Sequence, residues 1–214
     1  MILNYNIDKV IYYASTLTVL FPVCAGFVKN KTLSKEQRVL FLFVVTAALF
    51  ELLLFILGQI KINNFFIFHI FTPLEFILLS GVYYYGTVLR PVKIVLVVIV
   101  SFFLALVLTD SFFSDKLKSV DSIASASESL LLIVYSLLFF FYLLKKLEYK
   151  NLFNNPMFWF NSGVLIYFSG NFFLFIFSNY MLHVSYSYFS SMWGIHDFLN
   201  LLINILFSIA LWKR

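Results

Sequence analysis

Residues 39–59 read VLFLFVVTAALFELLLFILGQ. A helix that crosses the hydrocarbon layer of a bilayer needs about 20 consecutive, mostly apolar residues. This run supplies them and carries one charge, Glu51, near its middle. The apolar residues run on without period-2 alternation, so the stretch predicts a membrane-spanning helix and not a strand of a β-barrel.

Working outward, the same pattern recurs. The expected spans are roughly 10–28, 39–59, 65–86, 92–110, 123–144, 157–179 and 188–212. Polar stretches separate them: Lys29 to Arg38, Lys61 to Asn64, Arg90-Pro91, Ser111 to Asp121, and Lys145 to Asn155 before Pro156. The break between the last two spans is marked only by Ser178, Asn179, His183 and Ser185. The first span lacks a basic stretch ahead of it and has the length of a retained helix, so it reads as part of the bundle and not as a signal peptide. Cys24 within it reads as a small buried hydrophobe.

Composition agrees. Of the 214 residues 62% are hydrophobic and 12% charged, against about 25% charged in soluble domains. That excludes a soluble enzyme, a disordered chain and, with a single cysteine, a disulfide scaffold. The loops are too short for a separate domain. The chain therefore reads as one all-α integral membrane protein, a seven-transmembrane-helix bundle over 1–214.

Fifteen basic residues set its expected orientation. All but Lys9, Lys61, Lys116 and Lys118 fall on one side of the predicted topology, and short Lys/Arg-rich loops stay in the cytoplasm. The reading is N-terminus outside and C-terminus cytoplasmic, in a bacterial inner membrane. The net charge of +5 follows from that bias and from contact with membrane lipid headgroups; no nucleic-acid motif is present. Aromatic belts are expected at Tyr12, Tyr13, Tyr186, Tyr188 and Trp193 on the outer side. Tyr83, Tyr84, Tyr85, Trp159 and Trp212 form the inner one.

Ionisable residues inside a span cost about 2.5–3.5 kcal/mol each on insertion scales and are functional hypotheses by default. Glu51, Glu75, Glu128, His196 and Asp197 qualify, joined by His69 and Asn171. The expected depths place all of them between the outer rim and the midplane, with no comparable set in the inner half. Helical phase puts Asp197, Asn200 and Asn204 on one stripe of the last span, and Gly163, Tyr167, Gly170, Asn171, Leu174 and Ser178 on one face of the sixth. The second of these faces reads mainly as packing surface. Thr72-Pro73 is positioned to kink the third span. The fourth span is otherwise Val, Ile and Leu and reads as peripheral. The candidate ligand-binding residues are thus Glu51, His69, Glu75, Glu128, Asn171, His196, Asp197 and Asn200.

Specific chemistries are constrained. His69, His196 and Glu75 are the residues that would ligate a metal, but no HxxxH or HExxH spacing supports them. No serine is placed to serve His196 as a nucleophile. A retinal Schiff base needs a mid-span lysine in the last helix, and the only one there is Lys213 at its end, so no retinal cofactor is expected.

Two segments carry a family likeness. His69-Ile70-Phe71-Thr72-Pro73-Leu74-Glu75-Phe76, and Trp193-Gly194-Ile195-His196-Asp197 followed by Asn200, resemble those of small seven-helix bacterial membrane proteins associated with sensory input to histidine kinases. The resemblance implies a sensor or receptor with an external or intramembrane ligand and a separate signalling partner, since this chain holds no kinase domain. Beside it stand two other expectations. One is a lipid-modifying enzyme using His69, His196, Glu75 and Asp197 as a metal or acid–base site. The other is a structural or assembly subunit of a membrane complex.

Overall fold

In a computed structural model of the chain, the described backbone covers residues 2–60, 64–113, 122–145, 152–184 and 186–213. Those residues are helical almost throughout and contain no strand. The helices are α1 (Ile2–Thr18), α2 (Leu20–Lys29), α3 (Lys35–Gln59), α4 (Phe65–Gly86), α5 (Arg90–Phe113), α6 (Ser122–Lys145), α7 (Pro156–Val184) and α8 (Tyr186–Trp212). Among the described residues, seven stretches are long and apolar enough to cross a membrane: Val10–Thr32, Lys35–Gln59, Phe66–Gly86, Arg90–Thr109, Ser122–Lys145, Pro156–Ser178 and Met192–Trp212. The chain is a multi-pass helical membrane bundle, and its spans match the expected ones to within a few residues at most ends. The expected breaks at 61–63, 114–121, 146–151 and Ser185 lie outside the described residues.

The first span departs from expectation by dividing into α1 and α2. Pro22 has no N–H, so the Thr18 carbonyl loses its helical donor. Thr18 Oγ1 donates to Ser15 O at 2.6 Å, occupying an acceptor of the preceding turn. The break is slight: Val19 keeps helical angles (φ −59, ψ −23), so the span keeps its course. Cys24 is exposed, not buried. Pro22, Ala25 and Gly26 form the buried face of α2, and Cys24 lies off that face, toward lipid. Pro73, by contrast, sits inside an unbroken α4.

Packing centres on α8, which contacts α7, α1, α2 and α3. α7 also packs on α6, and α4 packs on α3, α5 and α6. α5 touches α4 and, more weakly, α6, which makes it the peripheral helix the sequence implied. Its Ile94, Val95, Val97, Val98, Phe102 and Leu108 are exposed, as a lipid face requires. The interior is built on phenylalanine: Phe76 meets Phe103 at 4.3 Å between ring centroids, and Phe160 stacks on Phe207 at 5.5 Å. Glycines set the closest approaches. A Cβ on Gly170 would lie 2.6 Å from Leu199, and one on Gly163 would lie 3.1 Å from Phe207, so α7 and α8 meet backbone to side chain. At Gly26 a Cβ would overlap the Phe41 ring. Gly26→Val is therefore expected to separate α2 from α3 and cost about 1–3 kcal/mol. Thermal unfolding in detergent reads this; an unshifted midpoint would contradict that packing.

One end of the bundle gathers the basic residues and is called here the basic end. Lys29 lies 4.4 Å from the Trp212 ring, Lys93 lies 4.9 Å from the Tyr84 ring, and Lys213 Nζ donates to Asn154 Oδ1 at 3.5 Å. Ser34 and Gln37 form a capping box at the start of α3. The Gln37 amide then donates to Ala210 O and Lys213 O, both at 2.8 Å, satisfying orphan carbonyls at the end of α8. One side chain thus caps two helices. Gln37→Ala is expected to lose about 1–2 kcal/mol, by analogy with cap removal. Chemical unfolding of the two proteins in the same detergent checks this, and equal stabilities would contradict it.

The half of the bundle toward the basic end is not purely apolar, contrary to the sequence reading. Tyr83 OH donates to Asn161 Oδ1 at 2.7 Å and lies 3.0 Å from Ser136 Oγ. Asn161 Nδ2 donates to Ser136 O at 3.0 Å. All three side chains are buried, so Tyr83 does not stand in an aromatic belt. The group ties α4, α6 and α7 together, and without water each of its polar atoms needs a protein partner.

Candidate functional site: a buried polar cluster

The other half of the bundle holds the candidate residues. Tyr167, buried on α7, is the point they share. Glu75 from α4, Glu51 from α3, Glu128 from α6 and Asp197 from α8 all lie close enough to act electrostatically on its hydroxyl. Glu128 is 2% exposed, whereas Glu51, Glu75 and Asp197 are half-buried. Four helices thus contribute carboxyl groups that act on one phenol. No Lys or Arg lies in the interior of any span.

α8 divides its polar stripe between two neighbours. Toward α1, Asn200 Nδ2 donates to Ser15 Oγ at 3.0 Å and to Glu51 Oε1 at 3.4 Å, and Asn204 Nδ2 donates to Thr18 Oγ1 at 3.3 Å. Toward α7, His196 Nδ1 lies 3.1 Å from Asn171 Oδ1. Rings enclose the imidazole on three sides: Trp193 at 4.7 Å, Tyr167 at 5.8 Å and Phe175 at 6.0 Å between centroids. Tyr12 of α1 lies within electrostatic reach of both Glu51 and Asp197, closing the α1 side. Toward the distal end, Ser122 Oγ of α6 and Ser178 Oγ of α7 are 2.8 Å apart.

The structure therefore gathers Glu51, Glu75, Glu128 and Asp197 around Tyr167. It joins His196 to Asn171, and Asn200 to Glu51. His69 is half-buried on α4, nearly two turns from Glu75. Among the described residues, no group of three or more His, Cys, Asp or Glu side chains is placed to hold a metal ion. A shallow crevice lined by Leu174, Ser178, Met181, Met192 and Trp193 adjoins the cluster through Trp193.

Three features escaped the sequence reading. Tyr167 looked like packing surface, yet it is the hub. Trp193, assigned to an aromatic belt, packs edge-on against His196. Ser15 and Thr18 were readable as an i, i+3 pair beside Tyr12 in the first span, the spacing that faces a neighbouring helix. Compared with known proteins, the chain matches no family model, no curated protein and no solved structure.

Proposed function

We propose that this chain is a seven-helix membrane sensor or receptor-like protein whose buried polar cluster binds a proton or a small cationic ligand and signals to a separate partner. One observation carries the reading: Glu75, Glu51, Glu128 and Asp197, from four different helices, all act electrostatically on the buried Tyr167. Carboxyl groups gathered in low dielectric favour uptake of a proton or of a cation. Occupancy of the site then changes the local charge, and helices with differential contacts in the two states can pass the change on. α8 offers the route, because it carries His196, Asp197 and Asn200 and ends in the Gln37 clamp at the basic end. On this reading the N-terminus is outside, the C-terminus and basic end face the cytoplasm of a bacterium, and the partner docks there. The likeness of the His69–Phe76 and Trp193–Asp197 segments to histidine-kinase-associated sensors supports the same assignment.

Spin labels at Val88 and Trp212, both exposed at the basic end, test it in a Cys24→Ala background. Acidification of the protein in lipid nanodiscs is expected to shift their distance distribution. A distribution that stays fixed from neutral to acidic pH, and with small organic cations added, would sink the proposal.

A further inference from the structure

The chemistry of Asn171 fixes more than a contact. Its Nδ2 lies 2.9 Å from Tyr167 O, within its own helix. A carbonyl oxygen accepts only, so the amide nitrogen must be the atom on that side; an oxygen there would repel the carbonyl. The Asn171 Oδ1 is thereby turned to α8, where it lies 3.1 Å from His196 Nδ1. An amide oxygen also accepts only, so Nδ1 must carry the hydrogen. In a neutral imidazole, the other nitrogen then holds the lone pair. Asn171 is 0% exposed, so water does not compete for this arrangement.

We infer that Asn171 is a positioning residue that holds His196 as its Nδ1–H tautomer and makes Nε2 the basic atom of the site. The chemical class it accepts is a proton, or the N–H or O–H donor of a bound cation, and not an anion. Two surroundings fit that role. The Trp193, Tyr167 and Phe175 rings lie 4.7, 5.8 and 6.0 Å from the imidazole between centroids, the range over which aromatic rings attract a cation. Among the described residues, the charged and titratable groups that act on the neighbouring Tyr167 and Tyr12 are acidic or phenolic. They include Asp197 on α8 itself, Glu51 on α3, Glu75 on α4 and Glu128 on α6, beside the phenols of Tyr167 on α7 and Tyr12 on α1. This rests on the reading of the cluster as a binding site for a proton or cation; the tautomer itself stands on hydrogen-bond geometry alone.

The test is ¹⁵N NMR of histidine-labelled protein in nanodiscs, with His196 assigned by the signals lost in His196→Gln. At neutral pH, Nδ1 is expected to resonate as a protonated nitrogen and Nε2 as one with a free lone pair. On acidification Nε2 should move to the protonated range. Asn171→Leu is expected to shift the ring toward the Nε2–H tautomer, and Asn171→Asp, which keeps an acceptor oxygen, to retain Nδ1–H. An Nε2–H tautomer in the unsubstituted protein would overturn the inference, as would a tautomer unchanged in a folded Asn171→Leu. Should Asn171→Leu fail to insert, the unsubstituted protein's tautomer decides alone. A correct tautomer combined with fixed spin-label distances would retire the signalling proposal and leave this assignment standing.

Discussion

Replacing Asn161 with leucine is expected to destabilise the folded bundle by about 2–4 kcal/mol, the largest effect of any single substitution in the half of the bundle toward the basic end. Asn161 accepts from Tyr83 OH at 2.7 Å and from Ser136 Oγ at 2.9 Å, and donates to Ser136 O at 3.0 Å. Hydrogen bonds between membrane helices average about 0.6 kcal/mol and reach about 1.7 when measured by double-mutant cycles. Leucine removes three at once and leaves buried hydroxyls with fewer partners, which adds a desolvation cost of about 1–3 kcal/mol. The comparison that separates the two contributions is the triple variant Tyr83→Phe, Ser136→Ala, Asn161→Leu. Removing the whole polar group together should recover much of the loss, because no stranded donor remains. Unfolding in mixed detergent micelles measures both. If the single variant unfolds like the parent, α4, α6 and α7 are not held by this group.

Neutralising the other cluster is expected to leave the fold and remove the response. Glu75→Gln and His196→Ala should each insert normally and each abolish the acid-induced change in the Val88–Trp212 distance, a loss of at least tenfold in amplitude. Glu75 acts on Tyr167, and His196 is held by Asn171, so each substitution removes one element of a shared charge balance. Glutamine keeps the size and polarity of a neutral glutamic acid without its titration, so stability should hold or rise while function fails. That opposite movement of stability and response marks a functional site and would not come from a merely structural network, where both fall together. Full response in both variants would place the function elsewhere.

The two halves of the bundle were unequally legible in the sequence. The spans were plain because about 20 apolar residues in a row leave few alternatives. Helical phase placed Asp197 and Asn200 on one stripe of the last span, and depth placed Glu51 beside it, where Asn200 Nδ2 lies 3.4 Å from Glu51 Oε1. Tyr167 and Tyr83 were not legible, because tyrosine serves equally in interfacial belts, packing faces and hydrogen-bonded cores, and only neighbours decide among these. Ser136 and Asn161 carry no charge and cost little to insert, so hydropathy gave them no weight. The orientation of His69 depends on how α4 is rotated against α3 and α6, which a single sequence does not encode. The division of the first span at Val19 had a visible cause in Pro22; its slightness comes from Thr18, whose hydroxyl bonds back to Ser15 O.

Trp193 provides the most direct test of the central claim, that the buried cluster takes up a proton or a cation at His196. Its ring centroid lies 4.7 Å from that of His196, in contact range of an imidazolium, so its emission reports the charge of that ring. In a Trp159→Phe, Trp212→Phe background, Trp193 is the only tryptophan. Its fluorescence in nanodiscs should fall as the pH is lowered, reversibly, and the fall should vanish in His196→Gln. Emission that does not change with pH, or that changes equally in the glutamine variant, would contradict the account.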